Sequence, residues 1–366
     1  MPAEPLFRPF ALKSLNLKNR VVMAPMTRSF SPGHIPGEDV AAYYKRRAVA
    51  DVGLIVSEGV GVERPGSLND PKVPHFHGEK ALAGWKHVIE EVHEAGGKMG
   101  PQLWHVGVVR NRMSDWVAPG PIDSPSGLSS PGKIHTDPMT PEAIADAIAA
   151  FGRAAGDAQR LGFDCVEIHG AHGYLIDQFF WSGTNERTDR YGGATIGDRA
   201  RVGAEIVAEI RKAVGPDFVI IQRLSQWKSQ DFNVKNAQTP EDLTQWLAPL
   251  ADAGVDIFHC SQRRFWEPEF EGSDLNIAGW AKKLTGKASI TVGSVGLSGD
   301  FIGGMRGEAS RPASLENLLE RLDRDEFDLV AVGRALLVDP HWVEKIRDGR
   351  DSELMDYTTE ALRVLA

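Results

Sequence analysis

Short apolar runs alternate with longer amphipathic stretches along most of the chain. A short apolar run rich in β-branched residues predicts a buried strand, and apolar residues three or four apart predict a helix. The strand candidates lie near residues 20–26, 53–58, 97–103, 164–169, 218–224, 255–261, 288–293 and 328–333. Strands that alternate with helices form parallel sheets, and eight such units predict an α/β fold, a single (β/α)8 or TIM barrel.

The helical patterns between these runs include residues 79–95, 141–161, 198–214 and 240–253. Two of them begin with Thr-Pro-Glu, at Thr140 and Thr239, which places a hydroxyl at the N-cap, a proline at the first helical position and an early carboxylate. Residues 12–19, before the first strand, are predicted to form a small hairpin that closes the bottom of the barrel. Because no linker or break in composition occurs, we expect one domain over residues 1–366.

Two connections are unusually long. Residues 104–139 are rich in Gly, Pro and Ser, and residues 262–277 include Arg263-Arg264-Phe265-Trp266. Long loops in compact domains are usually functional, and those that follow barrel strands lie over the C-terminal face, where active sites are found. We therefore expect both loops to cover the site.

Charge and composition exclude several classes of partner. The formal net charge of -9 argues against nucleic acid and against an anionic membrane surface. No stretch approaches the ~18 uninterrupted apolar residues of a membrane span. The first residues show no apolar run after a basic start, so no signal peptide is predicted and a cytoplasmic protein is expected. The two cysteines, Cys165 and Cys260, lie in apolar strand-like runs and are expected to be buried and inert.

Polar or backbone-exposing residues recur at the predicted C-terminal ends of the strands. They are Thr27 after strand one, Gln102 at strand three, His169 at strand four, Arg223 at strand five, Gly293 at strand seven, and Gly333 with Arg334 at strand eight. Loops after strands seven and eight commonly bind phosphate in barrels. Backbone N–H groups at Gly293, Ser294 and Gly333 and the guanidinium of Arg334 suit that role. Short loops also collect glycine and polar residues for structural reasons alone.

The segment Cys165–Leu175 carries the most informative chemistry. It reads as a buried strand that ends in His169, His172 and Tyr174. Two neutral imidazoles can donate hydrogen bonds to a carbonyl oxygen, and a phenol can deliver a proton nearby. This set suits the reduction of an unsaturated carbonyl compound, for which a cofactor must supply the hydride. The alternative is that these are structural histidines at a strand end.

Four segments in this order resemble the old yellow enzyme family of FMN-dependent ene-reductases, from about Leu6 to the last barrel element. They are Met23–Arg28, Gly100–His105, Cys165–Leu175 and Thr184–Gly193. The resemblance implies one FMN-binding barrel that uses NADH or NADPH to reduce the C=C bond of α,β-unsaturated carbonyl or nitro compounds. Larger relatives carry a four-cysteine iron–sulfur cluster, for which this chain has too few thiols, and no metal site is predicted.

The resemblance also assigns roles to single residues. Pro25, Met26 and Thr27 would meet the flavin, with Thr27 at its N5–C4 edge. Gly59 would approach the flavin through its backbone. Gln102 would contact the pyrimidine ring, and Arg223 would face the N1–C2 edge.

The resemblance implies a second set of residues for the substrate. His169 and His172 would bind the substrate carbonyl, and Tyr174 would protonate Cα. Trp104 would form a pocket wall, and Phe265 and Trp266 would lie over the substrate from the 262–277 loop. A cap for Thr27, an ion pair for Arg223 and loop packing for Trp104 remain the structural alternatives.

A structural role is predicted for Glu167, which a strand period of two places on the same inward face as His169, one layer below. A carboxylate inside a barrel needs a partner, and Arg223 on the next strand is a candidate.

Some segments depart from the common form of the family. They are residues 69–71, which lack an aromatic residue, residues 194–199, residues 224–228, and an apparent insertion at 303–307. Such departures affect substrate preference. Three other functions stay open: an FMN-dependent amine dehydrogenase or demethylase, a non-catalytic flavin-binding redox sensor, and a cofactor-free phosphate-binding barrel. The oligomeric state, monomer or homo-oligomer, is also open.

Overall fold

A computed structural model describes residues 3–111, 114–300, 303–304 and 306–366. Eight parallel strands close into a barrel, which confirms the predicted (β/α)8 architecture. The barrel strands in chain order are β3 (Val21–Met23), β4 (Leu54–Gly61), β5 (Met99–Trp104), β8 (Cys165–His172), β9 (Val219–Lys228), β10 (Ile257–Ser261), β11 (Ala288–Val292) and β12 (Leu329–Val332), and β12 pairs with β3. Each predicted strand overlaps an observed one.

Apolar side chains fill the barrel on both sides of the sheet. One buried cluster lies inside the barrel and includes Val22, Leu54, Cys165, Ile221 and Ile290. A larger cluster joins the outer face of the sheet to the surrounding helices. Strands with both faces buried need apolar residues at nearly every position, which is why they appear in the sequence as continuous runs.

A β-hairpin closes the N-terminal end of the barrel. Strands β1 (Phe10–Leu12) and β2 (Leu15–Leu17) pair antiparallel, and Leu15 and Leu17 pack into the inner cluster. The N–H of Ser14 donates to the carbonyl of Asp217, just before β9. The predicted hairpin is therefore confirmed.

Seven larger helices of the described residues surround the barrel, and the predictions at 79–95, 141–161 and 240–253 match three of them to within one residue. The seven are Glu38–Val49, Glu79–Glu94, Pro141–Leu161, Arg201–Val214, Pro240–Ala253, Ile277–Thr285 and Glu316–Asp323, with shorter helices at Glu4–Phe7, Leu175–Phe180, Ile196–Arg199, Arg334–Val338 and Trp342–Arg347. Thr140 accepts from the N–H of Ala143, and Thr239 forms a capping box with Asp242. The predicted helix at 198–214 is wrong at its start, because Thr195 and Asp198 form a capping box that begins a separate turn at Ile196. No helix in the described ranges is long and apolar enough to cross a membrane.

Buried polar groups anchor the two long loops. Asp123 of the first loop accepts from Arg64 at 2.8 and 3.0 Å and pairs with His105 at 2.8 Å. This loop also contains a small hairpin, β6 (Leu128–Ser130) with β7 (Lys133–Ile134). In the second loop Asn276 donates to the carbonyl of Phe265. Met305 of the apparent insertion lies outside the described residues.

The C-terminal segment packs back onto the barrel. The guanidinium of Arg28 donates to the carbonyls of Ala361 and Val364 at 3.1 and 2.5 Å, and Tyr357 and Ser310 exchange backbone hydrogen bonds. These contacts support one domain over residues 1–366, which stays our prediction.

Candidate active site

The candidate residues gather at the C-terminal ends of the barrel strands. Gln102 and Trp104 lie at the end of β5, and His169 and His172 lie in the last four residues of β8. Arg223, on the adjacent β9, pairs in register with His169. Pro25, Met26 and Thr27 follow β3, Gly293 and Ser294 follow β11, and Gly333 and Arg334 follow β12. The fold thus brings residues from six strands to one face.

Three rings from β5 and β8 form a compact cluster. The ring of Tyr174 lies 4.9 Å from that of His169 and 4.9 Å from that of Trp104, edge-on to both. His169 and His172 are also close, with ring centroids 5.2 Å apart. The Nδ1 atom of His169 is buried and has no hydrogen-bond partner among the described residues. That nitrogen and the phenol are groups that a ligand could use.

His172 has partners that the sequence did not reveal. Its Nε2 lies 2.8 Å from Oγ of Ser261, which closes β10, and its ring stacks on Trp227 at 4.3 Å. One ring nitrogen is therefore engaged by the protein, and the other remains for a ligand. The sequence contains a signal for Ser261, because it is a polar residue at the end of the predicted sixth strand. No local pattern in the sequence indicates that Trp227 lies beside His172.

Burial sets the protonation of this cluster. Desolvation, reinforced by the positive charge of Arg223, holds the pKa values of His169 and His172 well below the ordinary histidine value. Both imidazoles are therefore neutral at pH 7 and can each donate one hydrogen bond. Burial raises the pKa of Tyr174 to about 12, so its phenol keeps its proton. The site combines neutral donors with a protonated acid.

A carboxylate lies one layer below the histidines. Glu167 is fully buried and accepts from Nε2 of Gln102 at 2.7 Å and from Nδ1 of His259 at 2.6 Å. The predicted Glu167–Arg223 pair is present as a longer contact, 3.9 Å between Oε1 and the guanidinium. Burial opposes ionisation of Glu167, but His259, Arg223 and Gln102 outweigh it and hold its pKa below the ordinary value. His259 is the closer partner that the sequence analysis missed.

The residues at the predicted flavin edge suit a polar ring. Arg223 is 6% exposed, and its Nε has no hydrogen-bond partner among the described residues, so this N–H group is available to a ligand. A Cβ on Gly59 would lie 2.7 Å from the indole of Trp104, which excludes larger residues there. Because Gln102 gives its amide N–H to Glu167, its carbonyl oxygen remains free to accept.

The predicted phosphate loops lie together. Gly293 has a φ of 147°, and a Cβ there would meet the carbonyl of Gln262 at 2.6 Å, so glycine is required. The guanidinium of Arg334 donates to the carbonyls of Gly299 and Asp300 at 2.6 and 2.9 Å. These carbonyls hold the side chain at the strand-eight end, and its role toward phosphate stays a prediction.

Phe265 and Trp266 lie beside the phosphate loops. The N–H of Phe265 donates to the carbonyl of Gly293 at 3.1 Å, and its buried ring packs edge-on against Trp266. Trp266 is 37% exposed. Their predicted contact with substrate stays a prediction.

The C-terminal face of this parallel barrel thus offers neutral hydrogen-bond donors, a protonated phenol and a buried cation, groups that can bind a carbonyl substrate and an electron-rich cofactor edge. The chain belongs to the NADH:flavin oxidoreductase / NADH oxidase family, the old yellow enzyme family, whose sequence profile matches residues 5–353. The family uses FMN with NADH or NADPH, and the chain is an NAD(P)H-dependent flavin oxidoreductase.

Individual relatives agree with this assignment. A putative 12-oxophytodienoate reductase-like protein of Arabidopsis thaliana is 33% identical over 340 residues, which cover 90% of this chain and 96% of that protein. An NADPH dehydrogenase of Halalkalibacterium halodurans is 33% identical over 349 residues, which cover 92% of both chains. Among solved structures, morphinone reductase in complex with tetrahydroNAD superposes with a TM-score of 0.80 at 29% identity, over 98% of this chain and 93% of that one.

Glu58 is a further buried carboxylate beside the site. Its Oε2 accepts from the backbone N–H groups of Arg28 and Ser29 at 2.9 and 3.1 Å, and its own N–H donates to the Tyr44 hydroxyl at 2.9 Å. It thereby holds the loop after β3 directly beyond Thr27. Burial raises the pKa of Glu58 to about 7.

We expect the free energy of unfolding to depend on pH because Glu58 titrates differently in the folded and unfolded states. Between the ordinary carboxyl pKa and about 7, the folded state keeps a proton that the unfolded state has lost, so stability present at low pH falls as pH rises through this window. Between pH 4.5 and 7.5 the free energy of unfolding of the wild type should fall by about 3 kcal/mol more than that of the Glu58→Gln variant. Urea denaturation at each pH measures it, and parallel curves for the two proteins would contradict it.

Proposed function

We propose that the protein is an ene-reductase, which uses NADH or NADPH to reduce the C=C bond of α,β-unsaturated carbonyl or nitro compounds. The observation that carries the proposal is the position of the Tyr174 phenol, which is protonated and packs against His169 at 4.9 Å between ring centroids. A proton donor beside hydrogen-bond donors for a carbonyl oxygen is the set that conjugate reduction needs.

The residues of the site have separate roles in the proposed reaction. His169 and His172 bind the substrate oxygen and polarise the carbonyl, and Tyr174 delivers its proton to Cα while Trp104 walls the pocket. FMN, when bound, supplies the hydride that NADH or NADPH has delivered to it. The residues proposed to hold it are Pro25, Met26, Thr27, Gly59, Gln102, Arg223, Gly293, Ser294, Gly333 and Arg334.

The same residues favour reduction over the alternatives. Oxidation of an amine has no need for a proton donor at carbon, and a flavin sensor without turnover needs neither that donor nor two carbonyl-binding imidazoles. Two of the compared proteins are named as reductases.

Anaerobic half-reactions test the proposal. The flavin is first reduced with NADH or with NADPH, and the reduced enzyme is then mixed with 2-cyclohexenone, a nitroalkene or a maleimide. We expect at least one of these alkenes to reoxidise the flavin with loss of its C=C bond. Reoxidation by dioxygen alone, together with flavin reduction by an alkylamine, would indicate the amine dehydrogenase instead.

A further inference from the structure

The turn that carries Tyr174 has a strained backbone. His172 has a φ of 63° and Gly173 a φ of 80°, so two successive residues occupy the left-handed region. This region is natural for glycine but uncommon for histidine, and it persists only where surrounding groups hold the chain. The hydrogen bonds around this turn therefore determine where Tyr174 is placed.

Residues of β9 and the loop after it hold His172. Its N–H donates to Oγ of Ser225 at 2.9 Å, and its carbonyl accepts from the N–H and Oγ of Ser229 at 3.1 and 2.8 Å. The indole of Trp227 covers its ring. These residues overlap residues 224–228, one of the segments that departs from the family's common form.

The next residue, Gly173, is held from two sides. Its N–H donates to Oδ2 of Asp177 at 2.7 Å, and its carbonyl accepts from the side-chain amides of Gln178 and Gln230 at 2.7 and 3.0 Å. Asp177 lies on the short helix Leu175–Phe180, directly after the turn. Its carboxylate fixes the direction of the peptide between His172 and Gly173.

Asp177 is itself fixed by a cation from β9. Nζ of Lys228 lies 2.6 Å from Oδ1 of Asp177, and both side chains have no exposed surface. Nδ2 of Asn236 donates to the same oxygen at 2.9 Å. Lys228 is the last residue of β9 and pairs in register with His172. The ion pair thus links the turn to the strand beside it.

We propose that Lys228 and Asp177 are positioning residues, which hold the His172–Tyr174 turn so that the phenol reaches Cα of the substrate. The inference rests on the proposed function and names residues to which that function had assigned no role. A buried ion pair is weak evidence for stability, because well-packed neutral residues often replace such pairs without loss. The cation fixes the side chain that accepts from the N–H of Gly173, and a neutral acceptor without this partner would be free to turn away.

The test uses the FMN-loaded enzyme with a neutral double variant, Asp177→Asn with Lys228→Met. Asn keeps an acceptor for the N–H of Gly173, and no buried charge is left unpaired, so this variant should fold. The single variant Lys228→Met is studied beside it. The control is Asp256→Asn at the opposite end of the barrel, where a buried carboxylate likewise pairs with cations, Arg211 and Lys13, each at 2.5 Å, and accepts from the N–H of Ile220.

We expect the double variant to be reduced by NADH or NADPH at about the wild-type rate, since that step needs no proton donor at Cα. Its reoxidation by 2-cyclohexenone should slow by about 10–100-fold, as for a catalytic group displaced by about 1 Å. Reoxidation by a nitroalkene, which gives a stabilised carbanion, should slow less. The solvent deuterium isotope effect on enone reduction should rise. Asp256→Asn should match the wild type in all four measurements.

A merely structural role would slow both half-reactions and both oxidants together. That outcome, or a double variant that reduces the enone at the wild-type rate, would overturn the inference. Tyr174→Phe, measured in parallel, separates this inference from the proposed function. If Tyr174→Phe slows enone reduction and the double variant does not, only the positioning role fails; if neither does, the proton-donor assignment fails as well.

Discussion

Tyr174→Phe should slow reoxidation of the reduced enzyme by 2-cyclohexenone by about 10²–10⁴-fold, the usual contribution of a positioned general acid. Burial holds the phenol pKa at about 12, so the wild-type residue carries its proton throughout the neutral range. Phenylalanine keeps the edge-on packing against Trp104 and His169 but removes the proton. Reduction of the flavin by NADH or NADPH should change little, because no carbon is protonated in that half-reaction.

Stopped-flow measurement of each half-reaction under anaerobic conditions checks this result. Tyr191→Phe is a matched control, since Tyr191 is also buried but its hydroxyl faces Glu205 at 3.3 Å, outside the cluster of site residues. Nitroalkenes should be affected less than the enone or should stop at the nitronate. If Tyr174→Phe impaired only flavin reduction and left enone reduction intact, the assignment of Tyr174 would be wrong.

Replacement of His169 or His172 should have a different signature. Both imidazoles are proposed to bind the substrate oxygen, so alanine at either position should weaken the binding of carbonyl ligands and of phenols as well as their reduction. His172→Ala also removes the ring that bonds Ser261 and stacks on Trp227, whereas His169 has a buried Nδ1 without a partner among the described residues. Ligand affinity therefore separates these two residues from Tyr174.

The barrel, and the face on which the candidate site lies, could be predicted from the sequence because both depend on local apolar runs. A strand buried on both sides must be apolar along its length, so each run shows where a strand ends, and in a parallel barrel those ends meet on one face. That rule placed Gln102, His169 and Arg223 together without tertiary information. The hairpin that carries Leu15 and Leu17 was predicted from its position before the first strand alone.

Partners between distant strands were predicted less well. The sequence indicated that Glu167 points inward and that Arg223 is near, but the closer partner His259 lies 92 residues away. Strand period alone does not decide which of several inward residues make contact, since this depends on register across β8, β9 and β10. The pairing of Lys228 with Asp177 was harder still, because β9 extends four residues beyond the predicted strand and Asp177 lies on a short helix without a periodic signal.

Glu167→Gln should destabilise the FMN-free protein by about 3–5 kcal/mol, the cost of leaving a buried cation without its counter-ion. Arg223 is the cation concerned, at 3.9 Å from Glu167 and 6% exposed. Glutamine can still accept from Nδ1 of His259, and Gln102 can turn its amide to match, so the loss comes mainly from charge. Urea denaturation of the apoprotein measures it.

The charge argument is separated from packing by the double variant Glu167→Gln with Arg223→Met. Removal of both charges should recover most of the loss, although glutamine and methionine disturb the packing at two positions instead of one. If the double variant lost as much unfolding free energy as the two single variants together, side-chain packing, and not charge, would determine the stability of the layer formed by Glu167, Gln102 and Arg223. The layer matters for the proposed reaction because Glu167 contacts both Gln102, which is predicted to meet the pyrimidine ring of the flavin, and Arg223, which is predicted to face its N1–C2 edge. Because Glu167 fixes the Gln102 amide and offsets part of the Arg223 charge, it would set both the hydrogen-bonding groups and the charge that these two residues offer to a bound flavin.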